Sequence, residues 1–110
     1  MKDCDYREEI ENDLKRYLDW CIRIESVEEI YGCVEDLEDT ELNRIKRKVL
    51  AINKILNRLS EKNRKIIKEK YFYGHSRERI LEDNKLSKNQ FYEVIRRLLG
   101  VFEREINNSI

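Results

Sequence analysis

The stretch from Leu59 to Phe102, LSEKNRKIIKEKYFYGHSRERILEDNKLSKNQFYEVIRRLLGVF, decides the fold. It holds three helical segments with a stop between each. Ser60 is placed to cap a helix running through Lys70 to Tyr73, with Ile66, Ile67, Lys70 and Tyr71 leading into an aromatic end. Gly74 follows at a C′ position, where positive φ costs glycine little. Ser76 opens the next helix, Arg77 to about Asp83, with Ile80 and Leu81 facing inward. Asn84-Lys85-Leu86 makes the turn. Ser87-Lys88-Asn89-Gln90 then matches a capping box, in which Ser and Gln reciprocally bond the first-turn amides. Phe91, Val94, Ile95, Leu98, Leu99, Phe102 and Ile106 recur at helical spacing and predict the buried stripe of the last helix. Gly100 lies on its other side, where fraying or bending is expected. Asn107 to Ile110 reads as a loose end.

The outer face of this last helix carries the most specific chemistry in the chain. With Phe91, Val94, Ile95 and Leu98 inward, a period of 3.6 places Asn89, Tyr92, Glu93, Arg96 and Arg97 outward. A capped helix with such a face, entering the major groove of double-stranded DNA, is what reading base edges requires. The base-contact candidates are Lys88, Asn89, Gln90, Tyr92 and Glu93. Asn89 and Gln90 can bond adenine bidentately, Lys88 can reach guanine O6 or N7, and Glu93 can accept from cytosine N4. Gln90 has a competing use in the cap. Arg96 and Arg97 lie further along, where phosphates are expected. Arg77 and Arg79, at the start of the preceding helix, join them as backbone candidates, and Lys88 also meets the backbone through the helix N-terminus. The competing reading is a helical bundle whose polar face is only solvated.

Outward from this stretch, the chain is helical throughout. Three Gly and no Pro in 110 residues leave few places for sharp turns. A first helix is predicted from about Tyr6 to Glu25, with Ile10, Leu14, Tyr17, Cys21 and Ile24 on one stripe and Leu18, Ile22 and Trp20 broadening it. A second is predicted from Ser26, where Ser26-Val27-Glu28-Glu29 matches a capping box and Val27, Ile30, Val34 and Leu37 make the stripe. Gly32 inside it costs roughly 1 kcal/mol relative to Ala, so this helix is expected to be short, bent or loosely packed. A third starts near Thr40. Its Leu42, Ile45, Val49, Ile52, Leu56 and Leu59 form an a/d seam, which fits packing on the first helix or pairing with the same helix of a second subunit. The expectation is intramolecular packing with a homodimer contact nearby, because the seam is shorter than the three or four heptads a coiled coil needs. The chain thus divides into an N-terminal part, residues 1–58, for packing or dimerisation, and a C-terminal part, residues 59–110, for DNA.

Composition narrows the function. The formal net charge is zero. Yet residues 1–41 hold 15 acidic and 5 basic side chains, net −10, and residues 42–110 hold 8 and 18, net +10. A basic C-terminal unit favours a polyanion. The acidic segment could bind a basic partner such as RNA polymerase, or mask the chain's own basic face. Cys4, Cys21 and Cys33 lack metal-ligand spacing, so neither zinc nor a disulfide framework is expected, and Cys21 and Cys33 read as small core residues in a reducing cytoplasm. MKDCDYREEIEND has no apolar core of a signal peptide, and no stretch is long and apolar enough to span a membrane. His75, the single histidine, sits in a turn without a nucleophile beside it, and no glycine-rich phosphate loop exists. Neither an enzyme nor a cofactor is expected. Trp20 and Tyr31 read as core or half-buried rings.

Leu59-Ser60, Tyr71-Phe72-Tyr73-Gly74-His75-Ser76, Ile80, Leu86-Ser87 and Phe91-Tyr92 together resemble region 4 of bacterial sigma factors, the module that reads the promoter −35 element. The whole arrangement is more closely similar to small phage late-transcription regulators of the ArpU and RinA type. The motif likeness covers about residues 59–102, and the helix from Arg77 to Asp83 departs from it by lacking a small residue near its middle. The resemblance implies an all-α protein with a sigma-region-4-like helix-turn-helix at its C-terminus, acting as a phage or prophage transcription activator. It also implies that Lys88, Asn89, Tyr92 and Glu93 touch bases and that Arg96 and Arg97 lie near the backbone. Two other readings stand beside it: a DNA-packaging protein like the small terminases, and a protein-interaction module that contacts the polymerase.

Overall fold

The computed structural model describes the backbone of residues 2–109 and the side chains of residues 7–106. Every regular element among them is helical: α1 (Lys2–Tyr31), α2 (Thr40–Arg58), α3 (Glu61–Ile67), α4 (Arg77–Asn84) and α5 (Lys88–Ser109). A short 3₁₀ turn (Val34–Asp36) joins α1 to α2, and α3 runs on into a π-helical stretch (Lys68–Phe72). None of these helices is long and apolar enough to cross a membrane.

The N-terminal part departs from the expected helix boundaries. There is no stop at Ser26: α1 continues for 30 residues to Tyr31. The apolar row that packs toward α2, Trp20, Ile24 and Val27, passes straight through Ser26, and no glycine or proline interrupts it. The capping pattern is therefore overridden by tertiary packing. The real stop is Gly32, at φ +90, whose N–H bonds Glu28 O at 3.0 Å. Glu28, not Glu29, does the capping work, its carboxylate accepting from the Val34 N–H at 2.9 Å. Val34 is buried beneath this turn.

The α2 seam packs against α1 within the chain. Leu42, Ile45, Ile52 and Leu56 are buried, and Val49 and Leu59 are half-buried. Asp39 caps α2 by accepting from Leu42 N–H at 3.0 Å. At the other end Arg64 donates to Leu56 O and Leu59 O at 3.0 and 3.1 Å, satisfying carbonyls that the helix leaves open. Three ion pairs hold α2 in register with α1 and the turn between them. Lys48 reaches Asp13 at 2.9 Å with both side chains largely buried, and Lys46 bonds both Glu28 and, at 2.9 Å, Glu35.

One hydrophobic core crosses residues 58 and 59. Ile10, Leu14 and Tyr17 from α1 and Ile52, Ile55 and Leu56 from α2 meet Ile66, Ile67, Tyr71, Ile80 and the inward row of α5. Leu14, Ile52, Ile67 and Phe102 are fully enclosed. Each such side chain contributes about 1.5–3 kcal/mol of transfer free energy. Tyr17 stacks on Phe72, with centroids 5.0 Å apart, and Tyr71 donates to Glu11 at 2.7 Å. The first half of α1 is thereby tied to the π stretch. Burial, then the Glu11 carboxylate, pushes the Tyr71 hydroxyl well above the usual tyrosine range.

Several single-residue expectations change. Trp20 is buried, but Tyr31 is 69% exposed at the end of α1. Cys21 is half-buried on its stripe, whereas Cys33 is exposed because it follows Gly32 outside any helix. Cys4 lies outside the residues with described side chains. Helix α5 passes Gly100 unbroken and keeps helical backbone through the expected loose end to Ser109; Ile110 lies outside the described residues.

Candidate nucleic-acid interface

The geometry of α4, its turn and α5 follows from three local devices. Ser76 Oγ accepts from Arg79 N–H at 3.2 Å and starts α4. Lys85 adopts the left-handed conformation at φ 53, which ends α4 and lets Leu86 N–H bond Leu81 O at 3.0 Å. Ser87 and Gln90 then form the reciprocal box: Gln90 N–H donates to Ser87 Oγ at 3.1 Å, and Ser87 N–H donates to Gln90 Oε1 at 2.9 Å. A non-glycine residue in the left-handed region is strained, and the surroundings must hold it there. Asn84 does so by donating to Ile80 O and to Glu69 Oε1, both at 2.8 Å. Glu69 is a buried carboxylate of the π stretch, with Lys65 at 3.4 Å and His75 Nδ1 at 3.8 Å. The end of α4 is thus anchored to the π stretch that continues α3.

This anchoring fixes the direction in which α5 presents its outer face. Phe91, Ile95, Leu98, Leu99, Phe102 and Ile106 are buried and Val94 is half-buried. Lys88, Asn89, Gln90, Tyr92, Glu93, Arg96 and Arg97 are all exposed. Asn89, Glu93, Arg96 and Arg97 engage in no side-chain hydrogen bond or ion pair among the described residues. Gln90 differs, because its amide oxygen is held by the cap. It retains only its NH₂ group, so bidentate bonding to adenine would require the cap to open.

Tyr92 and Arg77 form a unit. Arg77 Nη1 donates to the Tyr92 hydroxyl at 2.7 Å, and Nη2 donates to Glu78 at 3.1 Å. Arg77 Nε is buried without a partner. Tyr92, 46% exposed, therefore ties the start of α4 to the second turn of α5 while keeping part of its ring in solvent. Arg79 is exposed, with a loose Asp83 pairing at 3.7 Å.

A residue outside the C-terminal segment joins this face. Arg7 of α1 lines a shallow depression of about 290 Å³ together with Asn89, Tyr92, Glu93 and Arg96. Nothing in local sequence marks Arg7, because it sits in the acidic segment and reaches α5 only through the tertiary fold.

The other clusters are internally matched. Donor atoms of Glu28, Cys33 and Glu35 lie within 4.8 Å of one another. The Lys46 ammonium bonds both carboxylates, so the chain itself supplies the positive charge there. A cleft of about 360 Å³ beside α3 is lined by Arg64, Lys65, Lys68, Tyr73 and His75, but also by Glu61 and Glu69.

No family model matches the chain, and no curated protein or solved structure is detectably similar to it.

Proposed function

We propose that this protein is a sequence-specific transcription regulator that binds double-stranded DNA, a phage or prophage activator of the ArpU and RinA type with a sigma-region-4-like helix-turn-helix formed by α4 and α5. The observation that carries this reading is a doubly capped α5, anchored through Asn84 and Glu69, whose exposed face offers an amide, a carboxylate and three cationic side chains. In the major groove, Asn89 would bond adenine, Lys88 guanine and Glu93 cytosine N4. Arg96, Arg97, Arg77 and Arg79 would hold phosphates and set the register. The acidic segment supports a protein contact in the same reading. Leu18, Ile22 and Ile30 are exposed along one ridge of α1, with Asp19, Glu25 and Glu29 around them. That surface suits a basic region of the polymerase better than a second acidic α1, and a homodimer would use another face.

The test is selection of duplexes from a random pool at about 150 mM salt, a physiological ionic strength, with wild type and the Asn89→Ala/Glu93→Ala variant. A single enriched motif, lost in the variant, is expected. With about six to ten phosphate contacts, affinity falls by about 10³–10⁵ between 50 and 200 mM salt. Salt-sensitive retention without a motif would point to packaging. Absence of duplex binding would end the DNA reading.

A further inference from the structure

We infer that the nucleic-acid face is composite: Arg7, from the acidic end of the chain, is a phosphate contact that flanks the recognition helix. This rests on the DNA-binding reading above. Arg7 lies 82 residues before Asn89, outside the stretch that carries the sigma-like motif. Yet it borders the same depression as Asn89, Tyr92, Glu93 and Arg96.

The placement is rigid. Ile10 and Leu14, three and seven residues on, are buried in the shared core. Glu11, four residues on and hence on the same side of the helix, is bonded by the Tyr71 hydroxyl. Both contacts fix the rotation of α1 about its axis. Helical periodicity turns Glu8 and Glu9 about 100° and 200° away from Arg7, and neither lines the depression. The acidic end of the chain therefore turns Arg7 toward α5.

The chemistry suits a backbone phosphate rather than a base. Arg7 comes from α1 and borders α5 from Asn89 to Arg96, and guanidinium matches phosphate in a two-pronged geometry. A helix seated in a groove about 12 Å wide is flanked by phosphates. The contact would add one charge to the electrostatic footprint without adding sequence information.

Anisotropy titrations of the selected duplex and a scrambled one, across a salt series, test this with wild type, Arg7→Ala, Arg7→Lys and Arg7→Glu. Arg7→Ala should lower the magnitude of the log K against log salt slope by about 0.9. The corresponding loss is about eightfold at 0.1 M salt, the factor a 0.9 slope gives over one decade. The loss should be equal on both duplexes, Arg7→Lys should retain most of the slope, and Arg7→Glu should lose more than Arg7→Ala. Thermal melts report whether each variant keeps its fold. An unchanged slope and affinity in Arg7→Ala, or tighter binding, overturns the composite face while leaving the regulator reading intact. A wild type that does not bind duplexes overturns both.

Discussion

The α1–α2 hairpin and the α4–α5 pair are both two helices joined by a short link, yet they treat charge in opposite ways. In the hairpin, the charges on facing sides meet within the chain: Asp13 with Lys48, and Glu28 and Glu35 with Lys46. In the α4–α5 pair, the polar contacts that hold the geometry are the Ser76 and Ser87 caps, the Asn84–Glu69 bond and the Arg77–Tyr92 bond. Asn89, Glu93, Arg96 and Arg97 on the outer face of α5 are left exposed. The difference separates charge used to position helices from charge available to a partner. It also explains why net charge alone describes the chain poorly. Part of the −10 and +10 of its two regions is neutralised across the hairpin before any partner arrives.

The largest test of that contrast is to break the buried pair. Asp13→Asn leaves the Lys48 ammonium, itself largely enclosed, without its carboxylate. We expect a loss of about 2–3 kcal/mol, read from denaturant midpoints at constant m-value. The double change Asp13→Leu/Lys48→Met removes both charges and should recover most of it. If Asp13→Asn costs under about 0.5 kcal/mol, the size expected of an ordinary surface change, the hairpin pairs are as incidental as exposed ones. A single unfolding transition in each variant is also expected, because Leu14 and Phe102 share one core.

A smaller effect separates positioning from reading within α5. Ser87→Ala and Gln90→Ala each remove one arm of the capping box and should cost about 1 kcal/mol of stability. Asn89→Ala, one position away and free of internal bonds, should leave stability within about 0.5 kcal/mol. In the selected duplex it should cost about 1–3 kcal/mol of discrimination at one base pair. A Gln90→Ala protein that keeps its stability but changes its selected motif would reverse the assignment of Gln90 to the cap.

These assignments show what local sequence can carry. Ser60, Ser76 and Ser87 are legible as caps because each precedes an apolar period and follows a break, and Gly74 is legible as a stop. The inward rows of α2 and α5 are legible from spacing alone. Ser26 misleads because the same four-residue pattern occurs inside a helix that packing carries past it, from Trp20 to Val27. The π stretch has no local signature. It arises where Glu69 and Tyr71 are both drawn inward, the carboxylate to Asn84 and the hydroxyl to Glu11. Arg7 is illegible for a related reason: its place beside Asn89 depends on Leu14 entering a core built largely from residues 51–106. At the candidate site, the exposed outer face follows from periodicity. The allocation of Gln90 to the cap and of Tyr92 to Arg77 depends on distances.

The smallest expected effect is a pH dependence in the hairpin. Hydrogen bonds from Lys46 are the first cause holding the Glu28 and Glu35 carboxyls below their ordinary value of 4.5, with backbone amides adding to it. A carboxyl whose pKa is lowered by folding contributes stability above its unfolded pKa and loses it as pH falls through the lowered value. The same bonds raise the Lys46 pKa above 10.5, so its share is present across the neutral range and fades only in strong base. Lys46→Met should therefore reduce the Tm at pH 7. The gap to wild type should narrow as pH falls below 4.5, as the wild-type carboxylates are protonated. Because these groups are solvent-accessible, the difference should also shrink in high salt. A gap that stayed constant from pH 7 to pH 3 would assign the Lys46 contribution to packing of its alkyl stem. The hairpin would then rest on one charged contact, Asp13 with Lys48, and the contrast with α5 would narrow to that pair.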